Sequence, residues 1–556
     1  MPSLRPLHAL FPVAIALVAG APLLWALFST LADLAHAPAW AALWQHPQTW
    51  PALGLTLWTG LTSTLISTGI TACILGRWLA VEDSGRALQR GTRWLSPLLS
   101  VPHAAFAIGA VALLAPSGWL LRLVSPWPSG LDVPPDWPTT QDPWGLGLIA
   151  VLVAKEVPFL LWAAVAYLQQ PGVRTQLRHS LHLGATWGYS ETQAWWRIVW
   201  PQVARHLTAP LLAVLAYSLT VVDMALVIGP NTPPTLAMLT WQWLQDADPA
   251  TNSQGASAAW LLTGVLMLCV GTFALLRAWP LWRQRRVRGV TRGESAPEPR
   301  RPDTGSRLMV GLMGVYALVL GALAVGSLSG PWPFPQLLPE AWTLMAWSGV
   351  LLSIHTVWTT LALGIGSAVA ALVWVVAWLE CAPAHWQQRM RPLWMLPLVL
   401  PAVLWVVGLH RLSLAWGLDG QAAGLWLAHT LCAIPYVLIA LQGPYLGFDP
   451  RLQQVSAALG RSRAAFLWRV KWPLLRSALA AAAAVGFAVS VAQYLPTLYV
   501  GAGRFQTVTT EAVTLASGGQ RALTAAFAWL QWCLPMLVFG VAAWWGRPRR
   551  WTAAAQ

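Results

Sequence analysis

Charge is what this sequence has least of. Only 10% of its 556 residues are Asp, Glu, Lys or Arg, against roughly 25% in a soluble domain. That scarcity excludes a chain whose surface mostly meets water. No G-x4-G-K-[ST] phosphate loop occurs, so the chain does not hydrolyse ATP by itself through that device. The histidines form no H-E-x-x-H or comparable cluster, which argues against a metalloenzyme and leaves no metal site. Five cysteines, Cys73, Cys269, Cys381, Cys432 and Cys533, have no pair at metal-ligand spacing. Four of them lie inside apolar runs, as small core residues do.

Apolar residues fill the space that charge leaves. They make up 56% of the chain, and the mean hydropathy is +0.55. Runs of about 20 residues recur along the whole length, enough to cross a bilayer core of roughly 30 Å as helices. The sequence predicts an all-α polytopic membrane protein. Its first run, Leu10 to Leu27 after Arg5, is longer than the apolar core of a signal peptide despite Ala37-Pro38-Ala39, and is expected to be the first membrane helix. Six spans are expected over 9–31, 53–78, 95–124, 145–168, 207–229 and 257–280. Six more follow over 308–328, 347–378, 393–413, 422–442, 478–500 and 522–546. Between them, Arg283 to Arg307 is charged, rich in Pro and Gly and without apolar periodicity, the composition of a linker. The expected domains are therefore 1–282, a linker at 283–307, and 308–556.

The formal charge of +15 does not point to nucleic acid. The arginines cluster in alternate loops, the linker and the Arg547–Arg550 tail, while the loops at 32–52, 125–144, 230–256 and 329–346 hold no Lys or Arg. The positive-inside rule then puts both termini in the cytoplasm, with Arg411, Arg504 and Arg521 as exceptions. An even number of spans per half gives both halves one orientation, related by a pseudo-two-fold axis along the membrane normal.

Two polar loops break the apolar pattern, and they match. Gly188 to Pro201 reads GYSETQAWWRIVWP, and Gly460 to Pro473, 272 residues later, reads GRSRAAFLWRVKWP. Gly188, Ser190, Trp196, Arg197, Trp200 and Pro201 recur as Gly460, Ser462, Trp468, Arg469, Trp472 and Pro473, with Ile198 facing Val470. Further repeats surround them: Pro102 and Gly109 parallel Pro401 and Gly408, and Val157-Pro158-Phe159 parallels Ile434-Pro435-Tyr436. Before the second copy, Leu452, Val455 and Leu459 give a short helix one apolar stripe, and Gly460 lets the chain turn. An ordinary amphipathic loop helix explains one such segment; a duplicated pair in equivalent loops asks for a shared partner.

The spacing resembles the EAA loop of binding-protein-dependent ABC importer permeases, E-A-A-x3-G-x9-I-x-L-P. The matching residues are Gly188, Ile198 and Pro201 in loop 171–206, and Gly460, Val470 and Pro473 in loop 449–477. The E-A-A positions depart, being His182-Leu183-Gly184 and Gln454-Val455-Ser456, and Trp200 and Trp472 stand for the Leu. The double length is similar to the fused thiamine and ferric-iron permeases, and LGATWGYSETQAWW and KEVPFLLW resemble the YnjC-type permeases. The resemblance implies a bacterial inner-membrane permease with two coupling loops, whose residues include Arg197 and Arg469. It also implies a cytoplasmic ATPase pair that binds the ATP, a periplasmic or extracellular solute-binding protein, and no cofactor on this chain.

Lys155 and Glu156 lie midway along the fourth expected span, Asp223 in the fifth and Gln493 in the eleventh. Ionisable residues there are costly, and they mark either a translocation path or a structural ion pair, with Asp223 a partner for Lys155. His429 reads as a hydrogen-bonded core residue. A 6+6 secondary transporter is the rival architecture; it requires ion-coupling residues but not two matched loops. A membrane enzyme requires a catalytic constellation at one membrane face, and the sequence offers none.

Overall fold

The computed structural model describes residues 5–80, 91, 95, 97–170, 172–278 and 304–547. Helices dominate, and no β-strand occurs among the described residues. We number the principal helices α1 (Arg5–Thr30), α2 (Thr49–Ala80), α3 (His103–Leu114), α4 (Leu146–Leu168), α5 (Thr208–Thr220) and α6 (Pro249–Ala278). These are followed by α7 (Thr304–Ser327), α8 (Ile354–Cys381), α9 (Ala402–Ala415), α10 (Ala422–Leu446), α11 (Arg476–Val491) and α12 (Arg521–Trp545). Among the described residues nine helices are long and apolar enough to cross a bilayer, or eleven if each of two bent pairs is one span. The ninth expected span is represented by α9, a shorter apolar helix. The chain is an all-α, multi-pass membrane protein.

Several expected spans are interrupted, and the causes are local. Within 391–415, Pro392, Pro397 and Pro401 each remove an amide donor, leaving Arg391–Trp394, Leu396–Val399 and α9. The third span, expected from 95, has its principal helix only from His103, with Pro102 at the N-cap. The fifth stops at Thr220 and resumes as Asp223–Ile228; the eleventh stops at Val491 and resumes as Leu495–Val500. Stretch 230–256, expected as a loop, holds a buried helix, Leu236–Leu244, whose N-cap Thr235 accepts the Met238 amide. Its counterpart Val508–Ala516 is capped by Thr507 in the same way. Ahead of α6, Asp248 accepts from the Thr251 hydroxyl at 2.9 Å and from the Thr251 and Ala250 amides. These bonds, the hydroxyl first, hold its carboxyl below the usual range.

The helices sort into two compact units that do not follow chain order. One comprises residues 33–345; the other joins 1–32 to 346–556. In the first, α7 packs on α2 and α3; in the second, α1 packs on α8 and α9. The expected boundary at 283–307 separates sequence halves, whereas each compact unit has taken the first helix of the other half. Linker residues 283–303 and tail residues 548–550 lie outside the described residues.

The repeated proline–glycine element explains this exchange. A Cβ at Gly109 would meet Val319 Cγ1 at 2.6 Å and the Val319 carbonyl at 2.9 Å, both on α7. A Cβ at Gly408 would run into the carbonyl of Ala26 on α1. Small residues let helices approach closely where the apolar solvent supplies no driving force of its own. Polar contacts then fix each guest helix. In the first unit, buried Arg122 donates to the carbonyls of Trp332, Pro333 and Gln336 at 3.0, 2.8 and 2.6 Å. In the second, Trp374 Nε1 donates to Ile15 O at 2.9 Å, and Arg411 Nη1 to Ser29 O at 2.6 Å. Arg411, an exception to the charge rule, therefore serves carbonyls at the C-terminal end of α1. Three tryptophans pack in the second unit as well: Trp374 and Trp378 face Trp394 edge-on, at centroid distances of 4.8 and 5.1 Å.

Gly408→Leu and Gly109→Leu are each expected to overpack a backbone contact, at a cost of about 1–3 kcal/mol. Fluorescence-detected size exclusion should show less monodisperse protein for both. Gly264→Leu, with no atom within 4 Å of the new Cβ, should behave like the wild type. Equal yields for all three would refute the packing argument.

Candidate functional site

The two matched loops fold alike, each within its own unit. In the first, helix Val173–Thr186 leads to Gly188 at φ +83°, and Ser190 caps the four-residue helix Glu191–Ala194 in a capping box with Gln193. In the second, helix Pro450–Ala458, capped by Asp449, leads to Gly460 at φ +71°, and Ser462 accepts the Ala465 amide. Only glycine takes these dihedrals without strain. Both loops continue into a π-helical turn, in which the Trp200 amide reaches Trp195 O and the Trp472 amide reaches Leu467 O. Pro201 and Pro473 follow at the start of the next helical turn, where their missing amides cost nothing. The chain then bends by 71° into α5 and by 76° into α11. Each loop thus presents an L-shaped element, one arm turned sharply away from the span.

Their surfaces are exposed and partly apolar. Arg197 and Arg469 are exposed, while Ile198 and Val470 are half-buried beneath them. Leu183 and Trp187 in the first loop, and Leu452, Val455 and Leu459 in the second, lie in the open. The departure from E-A-A also has a reason in the first loop. At Gly184 a Cβ would approach Ala194 Cβ to 2.6 Å, so this position must be small.

The ionisable residues of the first unit are arranged differently from the expectation. Lys155, 4% exposed, donates to the carbonyls of Val101 at 2.6 Å and Leu98 at 3.5 Å. It does not pair with Asp223, whose carboxylate instead accepts from Tyr217 Oη at 3.4 Å. The reason is Pro102. It has no amide to give the Leu98 carbonyl four residues earlier, and a cation among stranded carbonyls meets that need at once. Pro158 strands the Ala154 carbonyl in the same manner, and Tyr316 Oη takes it at 3.2 Å. Glu156 faces the other way, 3.9 Å from His103 Nε2. The His103 ring lies 4.6 Å from that of Tyr217. Glu156, His103, Tyr217 and Asp223 therefore form one polar run across α3, α4, α5 and the short helix Asp223–Ile228, while the Lys155 ammonium bonds to carbonyls. Half-buried Gln493 sits at the break after α11, in the other unit.

No protein-family model matches the chain. Over 533 residues it is 34% identical to the inner membrane ABC transporter permease protein YnjC of Escherichia coli, covering 94% of this chain and 93% of that one. The chain belongs to the ABC transporter permeases. A thiamine transport system permease protein, ThiP of Salmonella typhimurium, is 26% identical over 494 residues, 84% of each chain. A molybdenum transport system permease protein, ModB of Mycobacterium tuberculosis, is 32% identical over 129 residues, 21% of this chain and 49% of its own.

The polar run of this permease is not repeated in its second unit. By the Val157/Ile434 alignment, Cys432 and Ala433 stand where Lys155 and Glu156 do. Cys432 there accepts from Trp405 Nε1 at 3.4 Å. His429 is buried as expected, with Nδ1 2.8 Å from Ser490 Oγ and Nε2 3.0 Å from Thr497 Oγ1. Sequence reasoning missed His103, Tyr217 and Tyr316, which carry no motif, and Glu380 at the end of α8, which bonds Arg463 and Lys471 of the second loop.

Lys155→Met should destabilise the permease by about 1–3 kcal/mol, because it leaves carbonyls unsatisfied. Asp223→Asn should neither repair nor worsen that loss, with additivity within about 0.5 kcal/mol, as for sites that share no partner. Thermal unfolding in detergent of the two single variants and the double variant measures this. Recovery in the double would restore the ion pair that the geometry replaces.

Proposed function

We propose that this permease is the membrane subunit of a bacterial inner-membrane importer. It forms the solute path and couples that path, through loops 171–206 and 449–477, to a separate cytoplasmic pair of ATPases that binds the ATP. A solute-binding protein delivers the solute from outside, and the chain carries no cofactor. On this reading both termini are cytoplasmic, and α9 and the two bent pairs count as spans. The total is then twelve, six in each of two halves related by a pseudo-two-fold axis along the membrane normal. The observation that carries the proposal is the duplicated L-shaped loop. Two copies share a positive-φ glycine, a Ser cap, a π-helical turn and a proline. Both leave apolar side chains bare beside the turn. A 6+6 ion-coupled transporter has no use for that pair. The named relatives serve different solutes, so the proposal extends to the transporter class and not to one substrate.

Gly188, Arg197, Ile198 and Pro201, with Gly460, Arg469, Val470 and Pro473, are the coupling residues on this reading. Forcing a side chain into the left-handed region costs roughly 1–2 kcal/mol, enough to reshape a loop without unfolding its unit. Gly188→Leu and Gly460→Leu should insert normally yet lose most copurifying ATPase and most of its stimulated hydrolysis in nanodiscs. Normal stimulated hydrolysis in both variants would remove the basis for the reading.

The solute path is assigned to Glu156 and Asp223 in the first unit and Gln493 in the second, with Lys155 as the structural neighbour that shapes it. Glu156 is nearly fully buried, and His103 Nε2 stands 3.9 Å from its carboxylate, beyond hydrogen-bond length. A carboxylate held this loosely in a membrane helix marks a candidate contact for a passing solute or water. Glu156→Gln should lower uptake about tenfold or more while ATPase assembly and basal hydrolysis stay at wild-type values. Unchanged uptake would exclude Glu156 from the path.

A further inference from the structure

The second loop is tied to its bundle through one carboxylate. Glu380 ends α8 with its side chain only 14% exposed. Its Oε1 accepts from Arg463 Nη2 at 2.8 Å and Nε at 3.3 Å, and its Oε2 from Lys471 Nζ at 2.7 Å and Tyr445 Oη at 2.9 Å. Arg463 Nη2 also donates to the Glu380 carbonyl at 3.0 Å. The Lys471 ammonium lies 3.9 Å from the Tyr445 ring centroid, and Trp472 Nε1 donates to Tyr445 Oη at 3.4 Å. One carboxylate thus collects two cations of the loop and a phenol of α10, joining the loop to two helices of the bundle. Charge-assisted bonds of this length in a mostly covered site are strong and directional.

The aligned residues of the first half differ in type. Aligning Trp78-Leu79 with Trp378-Leu379 sets Ala80 against Glu380. In the first loop Glu191 and Val199 occupy the places of Arg463 and Lys471, and Leu168 that of Tyr445. Among the described residues the first loop makes an apolar contact with α2: buried Trp195 lies against Gly76, where an added Cβ would stand 3.0 Å from its ring. In the second loop, the bonds gathered on one carboxylate hold one geometry.

We propose that Glu380 is a positioning residue that latches the second coupling loop to α8 and α10, so that displacement of this loop moves the bundle directly. The proposal rests on the coupling-loop reading above. It makes Glu380 a mechanical link between the partner ATPase and the membrane helices. Removing the carboxylate should free the loop locally and slow hydrolysis that depends on loop movement, without touching the first loop.

The test uses the permease with its ATPase pair in lipid nanodiscs, with the five native cysteines replaced by serine. Spin labels at Arg461→Cys in the second loop and at the aligned Tyr189→Cys in the first report local mobility. Glu380→Gln should mobilise the label at 461 and leave that at 189 unchanged. In the unlabelled complex it should lower ATP hydrolysis about fivefold or more, the smallest effect expected of a genuine coupling term. Glu380→Asp, which keeps the charge, should restore much of both. Glu380→Gln strands Lys471 and risks misfolding, so the double variant Glu380→Gln/Lys471→Met, which buries no lone cation, should show the same freed loop in a folded complex. An immobile label at 461 in that double variant would overturn the latch. A freed label with wild-type hydrolysis would overturn the positioning role. If Gly188→Leu and Gly460→Leu keep full ATPase binding and hydrolysis, the coupling-loop reading itself fails, and it does so independently of the labels.

Discussion

The carbonyls that proline strands organise the first unit. A bilayer core offers no water to an unpaired C=O, and each such group costs several kcal/mol unless the protein supplies a donor. Pro102 deprives the Leu98 carbonyl of its partner, and Lys155 answers from the neighbouring helix. Pro158 deprives Ala154, and Tyr316 of the exchanged α7 answers. In the second unit the carbonyl at the broken end of α11, Val491, takes the Thr509 hydroxyl, which in turn accepts from buried Gln531 at 2.8 Å. Interrupted helices are therefore affordable only where a polar side chain from another element stands at the break.

This constraint also explains why α7 and α1 sit where they do. A guest helix earns its place twice, by close backbone approach at Gly109 or Gly408 and by polar closure at its end. Tyr316 and the Arg122 contacts hold α7 and the segment after it; Trp374 and Arg411 hold α1. Between two helices that are equally apolar to lipid, shape and hydrogen bonds decide the partner.

The sequence carried the positions of the long spans, because uninterrupted apolar runs have no other use at that length. It also carried the matched loops in near-final form: glycine, serine cap, turn and proline each do locally what their chemistry dictates. Helix exchange was not legible, since hydropathy says that a helix is buried in something but not in what. The repeated Gly109 and Gly408 were visible, yet their meaning needed the facing backbone. The break after Thr220 was hidden for a related reason, as no proline or glycine marks its stopping point, whereas Pro496 stands just beyond the break after Val491. Pairing Lys155 with Asp223 failed because the count of charges omitted backbone acceptors, which in a proline-broken helix compete on equal terms with a carboxylate. Glu380 belongs to no motif, and its partners lie 83 and 91 residues further on.

The whole chain contains two lysines, Lys155 and Lys471, and each compact unit places one of them in a largely buried site. An arginine at either place would bring a planar fork that needs several acceptors in one plane; an ammonium is a compact point charge that suits a small concave site. Lys155 meets carbonyls beneath the rings of Phe106 and Tyr316, and Lys471 meets a carboxylate against the ring of Tyr445. The first arrangement stabilises a break within the bundle, with the ammonium bonded to carbonyls and not to Asp223. The second fastens a loop to the end of the bundle. The two matched loops thus keep one geometry while the buried lysines serve different ends: Lys155 closes a helix break near the candidate path, and Lys471 fastens the second candidate coupling loop.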